Sequence, residues 1–182
     1  LDGKAGNDSL KGQGGHDTVL GGTGDDRLWW NLAGGNDFLD GQAGYDRAEI
    51  QGNHQNNLFA VTSSPDGLLQ VLETPHTVTI SRSTERLDVR GGPGRDTLRA
   101  VGLETAPLVE INLRGEASGD TIDASGAGIH SAALSLRGGD GDDRITGSDA
   151  AETLDGGTGD DSLLAGDGND VVRGGDGSDL IE

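Results

Sequence analysis

The chain has 182 residues, of which only 31% are hydrophobic and 3% aromatic, too few for an ordinary packed core. Its formal net charge of −19 repels nucleic acid and anionic membranes and attracts cations. Cysteine is absent, which excludes disulfides and thiolate metal sites and leaves hard-cation chemistry. No apolar run is long enough for a signal peptide or a membrane span, and the pattern is still running at Glu182, so we expect a fragment of a longer protein.

A nine-residue unit repeats through the N-terminal block, residues 1–49. Each unit opens on a glycine-rich stretch, carries an acidic residue at its sixth position and an apolar residue at its eighth. A two-residue slip falls at Trp30 and Asn31. A fixed period of this kind predicts a solenoid, in which each unit is stable only against its neighbours. The sixth positions are Asp8, Asp17, Asp26, Asp37 and Asp46.

The middle of the chain lacks the nine-residue period and divides into two segments. Residues 50–86 contain LFAVTSSPDGLLQVLE, which predicts two strands around a Ser-Pro-Asp-Gly turn, and we expect a β-hairpin or cap there. Residues 87–137 carry a longer unit, as in LDVRGGPGRDTL (87–98) and INLRGEASGDTI (111–122). An alternating strand, a Gly/Asp turn and a second strand are typical of a rung of a parallel β-helix.

The C-terminal block, residues 138–182, returns to the nine-residue unit without a gap. Glycines permit the left-handed backbone angles of a tight turn over the first six positions, and the last three form a short strand whose eighth residue points inward. Two units make one coil of eighteen residues, so turns stack on the second unit along. We expect one column of turns through Asp96, Asp120, Asp143, Asp161 and Asp179.

This unit, GGxGxDxUx with U a large apolar residue, resembles the nonapeptide of the repeats-in-toxin (RTX) family of secreted bacterial proteins. Ten units in register make the match specific, because isolated GGxG is common and a repeated aspartate and aliphatic position is not. The resemblance implies an all-β fold, a parallel β-roll or β-helix solenoid with calcium ions between stacked GGxGxD turns. In the family, carbonyl oxygens and the sixth-position aspartates of two stacked turns hold each ion.

The resemblance implies three calcium sites in the N-terminal block and four along the column of turns. The N-terminal sites are Lys4, Gly6 and Asp8 with Gly21, Thr23 and Asp26; Gly22, Gly24 and Asp26 with Gly41, Ala43 and Asp46; and Gln13, Gly15 and Asp17 with Leu32, Gly34 and Asp37. The column sites are Gly92, Gly94 and Asp96 with Gly115, Ala117 and Asp120; Glu116, Ser118 and Asp120 with Gly138, Asp140 and Asp143; Gly139, Gly141 and Asp143 with Gly156, Thr158 and Asp161; and Gly157, Gly159 and Asp161 with Gly174, Asp176 and Asp179.

One unit departs from the pattern. GSDAAETLD has Ala150 and Glu152 where glycine and aspartate are expected. The site that it would share with the next turn on its side is therefore expected to be weak or empty. That turn contributes Ala165, Asp167 and Asp170.

Other chemistry has weaker support in the sequence. NDSL (7–10) and DDSL (160–163) resemble an esterase nucleophile block, but their serines stand at outward strand positions of the repeat, and the scattered histidines form no HExxH zinc motif. Of the paired carboxylates Asp160 and Asp161, the repeat predicts that the second binds metal and the first is solvated. Trp29 and Trp30 could form a sugar-stacking platform, or they cover the slip.

The expected function is that of a non-enzymatic calcium-binding module of a secreted protein, folding on extracellular calcium after type I secretion. Its partners would be calcium and the type I secretion machinery, with no nucleic acid and no membrane span. The alternative is a glycan- or surface-binding segment of an RTX adhesin, surface-layer protein or polysaccharide-active enzyme. A third possibility is the C-terminal part of an RTX protease or lipase.

Overall fold

The computed structural model of the chain describes residues 1–32, 35–104, 106, 110–129 and 132–182. These residues form two β-sheets and no helix, which confirms the predicted all-β class. The part of the chain that the structure describes therefore contains no helix with the length and apolarity of a membrane crossing.

The first sheet, sheet I, has eight strands that are parallel throughout. In spatial order they are β1 (Ser9–Lys11), β3 (Arg27–Asn31), β5 (Arg47–Gln51), β9 (Arg86–Pro93), β11 (Glu110–Ala117), β13 (Ala133–Asp140), β15 (Glu152–Thr158) and β17 (Val171–Asp176). The second sheet, sheet II, has ten. In the same direction they are β2 (Thr18–Thr23), β4 (Phe38–Ala43), β8 (His76–Ile80), β7 (Leu69–Glu73), β6 (Leu58–Ser63), β10 (Thr97–Val101), β12 (Thr121–Gly126), β14 (Arg144–Thr146), β16 (Ser162–Leu164) and β18 (Leu180–Ile181).

The chain passes alternately from one sheet to the other, so most coils contribute one strand to each. This confirms the predicted parallel solenoid. Because successive side chains of a strand point to opposite faces, every second residue faces the space between the sheets. The eighth-position residues Leu28, Leu39 and Leu163 are buried there, in one apolar cluster that runs from Val19 to Leu163.

The apolar cluster is thicker in the middle of the solenoid than at its C-terminal end. Strands β9, β11 and β13 each bury two inward residues, for example Ile111 and Leu113 on β11. At the end, Val172 is only partly buried and Ile181 is 50% exposed. The C-terminal coils therefore gain little from apolar burial and need another source of stability.

Strands β6, β7 and β8 form an antiparallel meander inside sheet II. β8 pairs in parallel with β4, and β6 pairs in parallel with β10. Alternate residues, such as Val61, Val71 and Val78, face the common core. The segment predicted as a hairpin or cap is thus part of the solenoid wall, since its apolar face continues that of the parallel strands.

Candidate metal sites at the corners

Two columns of turns connect the sheets, and each turn is called a corner of the solenoid. Column A leads from sheet I to sheet II, and column B leads from sheet II back to sheet I. The side chains at the sixth position of column A are Asp17, Asp37, Asn57, Asp96, Asp120, Asp143, Asp161 and Asp179. The equivalent side chains of column B include Asp8, Asp26, Asp46, Glu85, Glu152 and Asp170. Strands β7 and β8 separate the first two turns of column A from the rest.

The sixth-position carboxylates stack through a ladder of hydrogen bonds. The backbone N–H of Asp143 donates to Oδ1 of Asp161 at 2.8 Å, and that of Asp161 donates to Oδ1 of Asp179 at 3.0 Å. Each bond spans one coil, of 18 residues here. The coils that contain the slip have 20 residues, and the middle ones have 23 or 24. The structure therefore places the aspartates from Asp96 to Asp179 in a single column.

The second oxygen of these carboxylates is buried and has no hydrogen-bond partner in the structure. A buried carboxylate oxygen without a partner is strongly unfavourable, so each of these atoms calls for a proton or a cation. The atoms concerned are Oδ2 of Asp8, Asp17, Asp26, Asp37, Asp46, Asp96, Asp120, Asp143 and Asp161.

Five of these unpaired oxygens, on Asp8, Asp26, Asp120, Asp143 and Asp161, share a small space with a backbone carbonyl of the next coil. A Cβ atom added to Gly21 would lie 2.5 Å from Oδ2 of Asp26 and 2.5 Å from the carbonyl oxygen of Gly41. A Cβ on Gly156 would likewise overlap Oδ2 of Asp161 and lie 2.5 Å from the carbonyl oxygen of Gly174. The first glycine of the unit thus leaves room for a ligand between two oxygens that the sequence assigned to one calcium site.

The same pairing of oxygens recurs at other predicted sites. A Cβ on Gly138 would overlap Oδ2 of Asp143 and lie 2.5 Å from the carbonyl oxygen of Gly156. At the N-terminal end of column A, two carboxylates meet instead, since a Cβ on Gly12 would lie 3.2 Å from Oδ2 of Asp17 and 3.0 Å from Oδ2 of Asp37. Gly34, predicted as a ligand with Asp37, lies outside the described residues.

The second and fourth positions keep their geometry even where glycine is replaced. Gly157 and Gly159 have φ angles of 116° and 125°, in the region that glycine favours. Lys4, Glu116 and Ser118 occupy equivalent positions with φ angles of 78°, 85° and 81°. The turns with these substitutions therefore retain the left-handed backbone, although a side chain makes that conformation less favourable.

Burial raises the pKa of six of the stacked aspartates, Asp37, Asp46, Asp96, Asp120, Asp143 and Asp161. Loss of solvation is the main cause for both Asp120, whose pKa rises to about 7, and Asp143, whose pKa rises to about 6. Neighbouring carboxylates add to the effect, Asp143 acting on Asp120 and Asp161 on Asp143. Without a bound cation, the ionised column is therefore destabilised both by burial and by like charge.

Acidification is expected to favour the folded state when divalent cations are removed. The folded-state pKa values of Asp120 and Asp143 lie above the ordinary value of 3.8, so the folded chain holds protons that the unfolded chain releases. This stabilisation is complete below about pH 4 and is lost as the pH rises through about 6 and 7. Circular dichroism in EDTA should show more β-sheet at pH 5 than at pH 8. Equal spectra at the two pH values would contradict the raised folded-state pKa values of Asp120 and Asp143.

A corner that the sequence did not reveal lies at residues 52–57. Asn57 takes the sixth position, and its backbone N–H donates to Oδ1 of Asp96 at 2.6 Å. A Cβ on Gly52 would overlap the carbonyl oxygen of Gly91 and lie 2.6 Å from Oδ1 of Asn57, the same arrangement as in the repeats. The signal was present as Gly52 at position one and Phe59 at position eight, but the missing aspartate concealed it.

In the unit GSDAAETLD, which departs from the repeat pattern, the sixth-position side chain is bound within its own turn. Glu152 accepts a hydrogen bond from the backbone N–H of Ser148 at 2.9 Å, and its other oxygen accepts one from the Ser148 hydroxyl. Both carboxylate oxygens thus have partners within the turn, unlike the aspartates of the other units. This arrangement supports the expectation of a weak or empty site between Glu152 and Asp170.

Two other features limit what the corners and their surroundings can do. Among the described residues, no group of three or more His, Asp or Glu side chains is placed to hold a metal, so a cation at a corner would depend largely on carbonyl oxygens.

Trp30 is buried, and the Arg27 guanidinium lies 3.7 Å above the ring of Trp29. The two tryptophans therefore do not form an open sugar-stacking platform.

The fold and its oxygen-lined corners define a calcium-binding β-solenoid. The family model of the RTX calcium-binding nonapeptide repeat matches four segments, residues 1–28, 33–48, 135–161 and 146–181, which together cover half of the chain. The chain belongs to this family and is a calcium-binding module of a bacterial RTX protein. A search of the curated proteins finds no significant match.

Replacement of a first-position glycine is expected to destabilise the folded protein. The Cβ of Gly156→Ala would meet the Asp161 carboxylate and the Gly174 carbonyl, and overpacking of this kind costs about 1–3 kcal/mol. Gly126→Ala is the matched control, because its Cβ would meet only Val101, at 3.6 Å, and should change stability by less than about 0.5 kcal/mol. Urea unfolding in calcium measures both. An equal loss of stability in the two variants would contradict a special role of the first-position glycine in leaving room for a ligand.

Proposed function

We propose that this module folds outside the cell on calcium, after export of the full-length protein by type I secretion, and that it has no catalytic activity of its own. The buried, unpaired Oδ2 atoms of nine sixth-position aspartates carry the proposal. Each of these atoms is an anionic ligand held in a fixed position without a counter-charge. Proteins of this family are typically secreted, which supports an extracellular location.

The ligands are the residues of the seven pairs of turns named from the sequence. Bound calcium supplies two positive charges and accepts six to eight oxygens, including backbone carbonyls, in irregular geometry. The pair with Asp161 and Asp179 has the least apolar support, because Ile181 in the last coil is half exposed. Asp161 also closes the pair with Asp143, so one side chain links two sites.

The same residues keep the chain unfolded where calcium is scarce. A formal charge of −19, with aspartates brought one above another by folding, opposes the compact state until cations neutralise the column. An extended chain suits passage through a narrow export channel. Extracellular calcium modules bind at about 10⁻⁴–10⁻³ M, so the sites would fill only after export.

Isothermal titration calorimetry with calcium and with magnesium, at pH 7.5, tests the proposal. We expect saturable binding of several calcium ions per chain, with dissociation constants of about 10⁻⁴–10⁻³ M. Magnesium should bind much more weakly, because it requires a tighter octahedral arrangement and dehydrates reluctantly. Equal binding of the two ions, or the absence of calcium binding, would contradict the proposal.

A further inference from the structure

The outward face of sheet I carries a row of arginines in a strongly acidic protein. Arg90, Arg114 and Arg137 occupy the same register on the adjacent strands β9, β11 and β13. Neighbouring strands lie about 4.8 Å apart, so the three side chains leave the sheet close together. We call these three residues the arginine row. Like charges directly opposite each other on neighbouring strands are destabilising, so the row needs a reason.

Part of the positive charge on this face is neutralised within the protein. Glu49 and Asp88 point outward from sheet I, but their side chains are only 1% and 0% exposed because arginines cover them. Arg47 and Arg90 contact Oε1 of Glu49 at 2.8 and 2.9 Å, and Arg86 contacts Oδ2 of Asp88 at 2.9 Å. These carboxylates are therefore already shared among arginines at the N-terminal end of the face.

Neutralisation decreases along the arginine row. Arg90 contacts Glu49 and also lies 3.5 Å from Oε1 of Glu116, whereas Arg114 reaches a carboxylate, that of Asp88, only at 3.9 Å. Arg137 makes no ion pair with any of the described residues. Within the same part of the chain, the buried Nε atoms of Arg90 and Arg114 have no hydrogen-bond partner. The two C-terminal members of the row thus hold unused positive charge and unused donors.

The surroundings of Arg114 add two observations. Burial lowers its pKa, and the charges of Arg90 and Arg137 act in the same direction, while Asp88 opposes them. The outward residues two positions before Arg114 and Arg137 are Asn112 and Ser135, both short and polar. No bulky side chain at these positions shields the guanidinium groups. Glu116 follows Arg114 on the same face and Asp155 stands opposite Arg137 on β15, so an anion can approach both arginines from the side of Asn112 and Ser135.

We propose that Arg114 and Arg137 bind the carboxylates of a linear acidic polysaccharide, which lies along the outward face of sheet I. Guanidinium groups bind carboxylates in a bidentate manner, and two of them on adjacent strands suit an anionic group fixed on an extended chain. A net charge of −19 disfavours polyanions of high charge density such as double-stranded nucleic acid, with one charge per about 1.7 Å of its axis, whereas a uronate polymer has one charge per sugar. This binding requires the folded solenoid and is otherwise independent of the calcium ligands.

Binding of hexagalacturonate to the calcium-loaded chain tests the inference, with free calcium held constant and maltohexaose as the neutral control. We expect measurable affinity for the uronate and none for the neutral sugar. The double variant Arg114→Gln/Arg137→Gln should lower the affinity at least about tenfold, because it removes two charge-assisted contacts. Arg99→Gln/Arg144→Gln, which removes two exposed arginines of sheet II, is the matched control and should leave the affinity unchanged.

The outcomes separate this inference from the calcium function. The double variant should keep the calcium-dependent circular dichroism of the parent. If the double variant folds poorly, the single substitution Arg137→Gln, at an exposed residue, provides a second and milder test. Absence of uronate binding in the folded parent overturns the inference and leaves the calcium function intact. It is also overturned if sheet II variants lose as much affinity, or if inorganic phosphate or a single-stranded oligonucleotide binds more tightly.

Discussion

Removal of calcium with EDTA at pH 7.5 is expected to abolish most of the β-sheet circular dichroism of this protein, and calcium should restore it cooperatively. An ion at ten times its dissociation constant contributes about 1.4 kcal/mol per site. The seven predicted sites would together contribute about 10 kcal/mol, which is comparable to the whole stability of an ordinary domain, about 5–15 kcal/mol. The chain has little else to replace them at its C-terminal end, where Val171, Leu180 and Ile181 are at least half exposed.

Hydrogen exchange measured residue by residue should show where the β-structure is lost first when calcium is removed. We expect residues 138–182 to exchange first after chelation, since their coils bury few apolar side chains. Strands β9 and β11 should be protected longest, because they bury pairs such as Leu87 with Val89 and Ile111 with Leu113. Magnesium at the same concentration is the control. Recovery of the spectrum with magnesium alone, or an unchanged spectrum in EDTA, would contradict a calcium-dependent fold.

The substitution Asp161→Asn is expected to cost about 3 kcal/mol in the presence of calcium, because Asp161 takes part in two predicted sites. Asparagine keeps an oxygen that can accept the hydrogen bond from the Asp143 N–H, so the change removes charge with little change of shape. Asp160→Asn is the control. Asp160 is exposed, and it accepts a hydrogen bond from the Ser178 N–H that asparagine can also accept. Its effect should remain within about 0.5 kcal/mol.

The sign of the Asp161→Asn effect should reverse without calcium. Burial raises the pKa of Asp161, and the negative charges of Asp179, Asp142 and Asp160 raise it further, so its ionised form is unfavourable in the calcium-free fold. In EDTA the variant should therefore show at least as much β structure as the parent. Urea unfolding with and without calcium measures both effects. A loss of the same size under both conditions would indicate a structural role and count against metal binding.

Much of the site could be predicted because its determinants are local and repeated. A glycine-rich turn, an aspartate at position six and an apolar residue at position eight each act within one unit, and the period then stacks equal units. The coil of eighteen residues, the inward position of Leu163 and the burial of Asp161 beside the exposed Asp160 follow from this counting. The two-residue slip lengthens its coils to 20 residues without breaking the stack.

The remainder depended on contacts that the period does not encode. Asn57 stands at a corner without the expected charge, so only its hydrogen bond to Asp96, 39 residues away, reveals its position. The partner of Glu152 is Ser148, which a pattern based on aspartate does not include. In both cases position six carries a residue other than aspartate, and contacts with the neighbouring coils keep the backbone of the turn in the same arrangement as in the repeats.

By itself, the sequence determined the all-β solenoid, its two repeat blocks and the column of turns in which the sixth-position aspartates stack. Only the tertiary structure decided that β6, β7 and β8 join sheet II, and that Glu49 and Asp88 are buried beneath arginines while Arg137 forms no ion pair with the residues that the structure describes. The physical reason is distance along the chain. Stacking of equal units follows from a constant period, whereas strand edges and ion pairs that meet across coils of unequal length depend on the complete fold.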